Sequence, residues 1–135
     1  MKIKYLIIIL LLIPILSFSQ VSKYRADSYS MKFLNDDGSW GNWMEWMDTG
    51  VLTEFDPQLG KITFNLQPQT ILDLHGDMEE EVDKEGNTVY KFSSTDQDGK
   101  DCQFEILLGK EEEKKIQFYL RYSDMIVVYN VHPLD

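Results

Sequence analysis

Cysteine is almost absent: Cys102 stands alone in a chain of 135 residues. No disulfide can form within one molecule, so stability must come from packing rather than covalent staples. Cationic side chains are also scarce, with 13 Lys and Arg against 23 Asp and Glu. Phosphate binding needs clustered Lys and Arg, so this balance argues against a nucleic-acid partner. It equally argues against adhesion to anionic lipid. Beyond residue 20 no apolar run approaches the roughly 18 residues that a helix needs to cross a bilayer. Also missing are a nucleophile elbow, a phosphate loop, a Cys-x-x-Cys pair and a His-Glu-x-x-His helix.

The first residues are unlike the rest. Lys2 and Lys4 lead an apolar run from Tyr5 to Ile13, followed by Pro14-Ile15-Leu16 and the small-residue site Ser17-Phe18-Ser19. A basic start, an apolar stretch and a small-residue end in that order read as a secretory signal peptide over residues 1–19. The expected mature chain starts at Gln20 and carries a net charge of −12, since Lys2 and Lys4 leave with the leader. Residues 20–135 suffice for one core, so a single domain is expected. Cys102 lies far from the cleavage region, which argues against a lipid anchor. The expected state is an exported monomer, periplasmic or secreted, with no membrane span after leader removal.

Turn signals recur about every ten residues: Asp36-Asp37-Gly38, Asp48-Thr49-Gly50, Leu59-Gly60, Glu85-Gly86-Asn87, Asp98-Gly99 and Gly109-Lys110. The runs between them are rich in β-branched and aromatic residues. Several alternate strictly. Ile62, Phe64 and Leu66 share one face, as do Cys102, Phe104, Ile106 and Leu108, and Ile116, Phe118, Leu120 and Tyr122. The segment from Met125 to Val131 is apolar almost throughout, as for a strand covered on both faces. This pattern predicts an all-β fold of about eight strands, near 24–34, 50–56, 61–66, 69–76, 88–94, 102–108, 114–122 and 125–132. Short links make most neighbours antiparallel, giving a meander that closes into a small lipocalin-like barrel; a two-sheet sandwich is the alternative. The predicted inward set includes Phe33, Phe55, Phe64, Phe104, Ile106, Phe118, Leu120 and Val128. Residues 77–87, with six acids and one lysine, are expected to form a long solvated hairpin tip or a short helix rather than a core strand.

Three groups of residues carry candidate chemistry. Trp40, Trp43 and Trp46 are spaced by three, and in an extended three-per-turn conformation they line up on one side. That spacing resembles the tryptophan ladder of thrombospondin type 1 repeats. The disulfides of that family are missing, so the resemblance stops at the spacing. The functional reading is an aromatic platform for a sugar, a small apolar ligand or a protein partner, and the ordinary reading is packing into or across the end of the barrel. Asp96, Asp98 and Glu105 fit positions of a calcium-loop template around Gly99, although Asp and Gly are also what a tight hairpin requires. Asp73, His75 and Asp77 alternate along one strand, a pattern shared by a zinc or acid–base site and by any wet sheet face. Glu79–Glu81 and Glu111–Glu113 read as solvated tips, or as a surface for a basic partner. Cys102 shares its face with Phe104 and Ile106 and is predicted to be buried and unreactive.

The chain resembles a group of small exported bacterial proteins of unknown function. The resemblance rests on the Trp40/Trp43/Trp46 cluster, the Asp96-x-Asp98-Gly99-x-x-Cys102 hairpin and the closing Tyr122-Ser123-Asp124-Met125-x-x-Val128-Tyr129-Asn130-Val131. It implies a compact β-domain and no activity. The leading expectation is therefore an exported, non-catalytic binding or interaction domain without a resident cofactor. A small metal-dependent hydrolase using Asp73, His75 and Asp77 is one alternative. A calcium-binding or purely structural envelope protein is the other.

Overall fold

The computed structural model describes residues 21–66, 68–110 and 115–134. The expected leader, its cleavage site and the Glu111–Glu113 cluster lie outside the described residues. Three hairpins rest on one loop chemistry: Asn35-Asp36-Asp37-Gly38-Ser39, Asp83-Lys84-Glu85-Gly86-Asn87 and Asp96-Gln97-Asp98-Gly99-Lys100. In each, the first N–H donates to the fifth carbonyl, at 2.7, 2.9 and 2.9 Å. The glycine N–H then donates back to the first carbonyl at 3.0 Å. The three glycines have φ of +87°, +87° and +81°, where a side chain costs roughly 1–2 kcal/mol. This is the three-residue hairpin loop, a turn closed by one left-handed residue.

The strands are β1 (Ser22–Phe33), β2 (Met47–Asp48), β3 (Leu52–Asp56), β4 (Lys61–Phe64), β5 (Thr70–Val82), β6 (Thr88–Asp96), β7 (Asp101–Leu108), β8 (Ile116–Arg121) and β9 (Met125–Leu134). From β3 to β9 each strand pairs antiparallel with the next, and β1 joins β3 on one side. On its other side β1 pairs with β9 from Lys23↔Leu134 to Phe33↔Met125 and closes the sheet. The fold is all-β: a closed, eight-stranded antiparallel barrel of the small lipocalin-like kind, with β2 as a short extra strand on β1. Closure removes the sheet edges that a sandwich leaves open.

One extra residue in β1 shapes the interior. Ala26 faces Val131 and Ser28 faces Asn130, so Asp27 is a bulge. A bulge shifts the side-chain parity of everything beyond it. Tyr24 and Ala26 therefore point inward before Asp27, and Tyr29, Met31 and Phe33 after it. Phe64, Phe104 and Phe118 are almost wholly buried. Tyr24 meets Phe118 edge-on at 5.1 Å between ring centres, and Phe104 meets Phe118 at 5.4 Å. Such edge-to-face pairs fill one part of the barrel densely. Phe55 and Ile106 pack against this core from half-buried positions, and Leu120 is buried within it.

Two expectations are corrected. Val128 is buried but lies outside the inward cluster, because Val127, Tyr129 and Val131 hold the inner positions of β9. A strand covered on both faces hides its outer residues too, so burial alone does not report direction. Second, the acidic run is neither a long tip nor a helix. β5 continues to Val82, and Glu79, Glu80 and Glu81 pair with Lys91, Tyr90 and Val89. Only one residue of this stretch needs to be apolar, and Met78 is the buried one. The exposed glutamates reach solvent, and Glu81 forms an ion pair with Lys91.

Candidate functional site

Beyond the aromatic core the barrel is hollow. A cavity of about 1030 Å³ is walled by Tyr29, Met31, Val51, Leu66, Leu120, Met125, Val127 and Tyr129. It is at the upper end of the size range typical of small-molecule pockets. Its mouth lies at the β6–β7 and β8–β9 turns, where Lys100, Asp101, Ser123 and Asp124 are exposed and line the opening beside Phe33. The hollow follows from side-chain size. β4 contributes Phe64 to the filled layer, whereas nearer the mouth the inward positions carry Val51, Leu66 and Thr70, which leave space.

The polar groups of this region are ordered. Asp96, buried at the end of β6, accepts the N–H groups of Asp98 and Lys100 on Oδ1, both at 2.9 Å. Its Oδ2 accepts the Tyr122 hydroxyl at 3.0 Å. Burial pushes this carboxyl upward, but the Lys100 N–H, the Tyr122 hydroxyl and the Asp98 N–H outweigh it and hold it below its ordinary value. Burial raises the Tyr122 phenol, and the neighbouring Cys102 and Asp96 raise it further. Cys102 is buried, with its Sγ 3.1 Å from Ser94 Oγ, and burial raises its thiol. Its predicted burial is therefore met. Tyr129 is 5% exposed and stacks on Phe64 at 5.3 Å. Its phenol is pushed up to about 12 by burial and by nearby Tyr29. Neither the Tyr129 nor the Tyr29 hydroxyl forms a hydrogen bond among the described residues, although both side chains line the cavity.

The tryptophans stand elsewhere. Residues 40–48 run antiparallel beside β1 as a strap: Gly41 N–H donates to Phe33 O at 2.8 Å, Met44 N–H donates to Met31 O at 2.8 Å, and Met47 pairs with Tyr29. Three strap residues thus advance for every two of β1, which gives the three-residue tryptophan spacing a backbone meaning. Gly41 suits this close approach, since a Cβ there would meet Phe33 O at 3.3 Å. Lys32 Nζ sits 5.7 Å from the Trp40 ring centre and 4.7 Å from that of Trp43, bridging both by cation–π attraction. Trp40, Trp43 and Trp46 are 38, 42 and 50% exposed and do not line the cavity.

The other candidate sets are dispersed. Glu105 lies within β7, where it accepts from Gln103 Nε2 and pairs with Arg121 Nε at 2.8 Å, while Asp96 and Asp98 are engaged in the turn. Asp73 is 3.6 Å from Lys61 Nζ, and His75 Nε2 is 2.9 Å from Thr95 Oγ1. A bulge around Gly76, with φ of +76°, breaks the alternation before Asp77. Among the described residues no three His, Cys, Asp or Glu side chains gather into a metal-holding group. The cavity tyrosines were the missed feature: alternation marks a residue as inward but does not tell filled space from hollow space.

The fold and the cavity define a small ligand-sized barrel. No family model, curated protein or solved structure matches the chain.

Proposed function

We propose that the protein is an exported, non-catalytic binding domain that holds a small, largely apolar molecule inside its barrel. The observation that carries this reading is the cavity itself, about 1030 Å³ with a largely aliphatic and aromatic wall and its exposed charged residues, Lys100, Asp101 and Asp124, at the turns of the mouth. An apolar wall with a few placed polar groups is the general form of a small-molecule pocket, and barrels of eight strands have room for one such ligand. The leader read over residues 1–19 supports export.

The test is fluorescence titration with N-phenyl-1-naphthylamine, a neutral apolar probe that brightens on leaving water. Saturable brightening is expected, and Met125→Trp, which fills the cavity from a half-buried position, should abolish it. No brightening, or brightening unaffected by Met125→Trp, would overturn the reading. A second role is supported by a separate observation. Trp40, Trp43, Met44, Trp46 and Met47 form an exposed apolar strap, and such patches serve protein contact. Pull-down by the wild type but not by Trp43→Ser/Trp46→Ser would identify that partner surface.

A further inference from the structure

We propose that the cavity selects amphiphiles with a cationic end, the apolar body lying in the barrel and an ammonium- or guanidinium-type group meeting the carboxylates at the mouth. This rests on the cavity reading above and adds the charge class of the ligand. Asp96, Asp101 and Asp124 line the cavity against one cation, Lys100. The Asp101 carboxylate turns aside to the outer face, where its Oδ1 accepts the Thr95 hydroxyl at 3.3 Å, which leaves Asp96 and Asp124 as the carboxylates at the mouth. Asp96 is locked in place by its three donors, so its charge is fixed in position rather than swept through solvent. Asp124 and Lys100 form no ion pair among the described residues. The whole chain is acidic, at −10, and low-dielectric walls concentrate such a field in the cleft they enclose.

The interior favours the same sign. Tyr129 is more than nine-tenths buried, lines the cavity and has no hydrogen bond among the described residues. Its hydroxyl is not sealed off but opens onto the cavity, so a bound molecule with an N–H at that point gains a hydrogen bond shielded from bulk water. Tyr29 lies beside it, with ring centres 6.1 Å apart. Their electron-rich faces attract a cation, and their oxygens accept an N–H. An anionic end group would instead meet the like charge of Asp96 and Asp124. The aliphatic wall of Met31, Val51, Leu66 and Val127 accepts the chain in either case. The end group therefore decides the selection.

Calorimetric titration of the folded protein with decylammonium, decanol and decanoate, below their aggregation limits and at low ionic strength, separates the two claims. The apolar body is shared and only the end changes. Decylammonium should bind about tenfold or more tighter than decanoate, with decanol between them. Asp124→Asn should weaken decylammonium about fivefold and leave decanol unchanged, and Asp101→Asn, on the outer face, should leave both unchanged. Glu80→Gln, on an exposed position of β5, should leave all three unchanged. Equal binding of the three probes, a preference for decanoate, or an equal loss on Glu80→Gln would overturn the charge selection while leaving the cavity reading intact. Failure of decanol and phenylnaphthylamine to bind would instead remove the cavity reading and this inference with it.

Discussion

Replacing Asp96 should weaken the barrel more than replacing any other residue of its turn. Its Oδ1 holds the N–H groups of Asp98 and Lys100, both at 2.9 Å, and its Oδ2 holds the Tyr122 hydroxyl at 3.0 Å. Hydrogen bonds to a charged acceptor are worth about 1.5–3 kcal/mol each, yet they are not additive. The turn N–H groups regain water when the carboxylate goes, so Asp96→Ala should cost about 3 kcal/mol. Asp96→Asn keeps a neutral acceptor for the turn and should cost about 1 kcal/mol. Tyr122→Phe should also cost about 1 kcal/mol, and the cycle of Asp96→Ala with Tyr122→Phe should show a coupling of about 1 kcal/mol. Urea unfolding of the wild type and the four variants at neutral pH measures each value. The pH dependence has a definite sign. The folded carboxyl titrates below its ordinary value of 3.8. Its charge-dependent stabilisation is therefore complete above that value and is lost as the pH falls through the depressed one. The gap between wild type and Asp96→Asn should stay constant from neutral pH down to mild acid, and then close. A cost below 1 kcal/mol for Asp96→Ala, or zero coupling to Tyr122, would refute the assignment of this carboxylate as the anchor of the turn.

Other perturbations probe the barrel at separate points. Thr53 is wholly buried, and its Oγ1 is the buried side-chain oxygen without a partner among the described residues; Thr53→Val should raise stability by about 1 kcal/mol in chemical denaturation. Arg121→Ala strands the buried Glu105 carboxylate, costing about 3 kcal/mol, and adding Glu105→Gln should restore part of that loss. Cys102 should react with a thiol reagent only on unfolding, and Cys102→Ser should cost about 1–2 kcal/mol; prompt labelling of the native protein would contradict its burial. Mass spectrometry of the exported protein should find a chain starting at Gln20, and an intact leader would count against the signal-peptide reading.

Much of the architecture was legible along the chain because a β-strand writes its two faces into alternate residues. The runs ending in Leu66, Leu108 and Tyr122 declared their inner sides, and the Asp-x-x-Gly loops declared where the chain reverses. Cys102 was placed correctly for the same reason. The misplaced elements share one cause, that local pattern carries no information about what lies opposite. Val128 is apolar on the outer side of a strand buried on both faces. The glutamates of β5 looked too charged for a strand, yet a strand whose inner demand is met by Met78 tolerates them.

The sequence by itself determined the β class, the hairpin order and the acidic character, since these follow from residue type and nearest-neighbour spacing. Tertiary structure alone decided closure through β1 and β9, the parity shift at Asp27 and the existence of the cavity. It also separated the tryptophans from that cavity and turned them outward along the strap beside β1. A hollow is a difference between the space enclosed by eight strands and the summed volume of the side chains they turn inward. No single segment contains that difference; it arises when distant inward positions, such as Tyr29, Leu66, Leu120 and Tyr129, are brought around the same space.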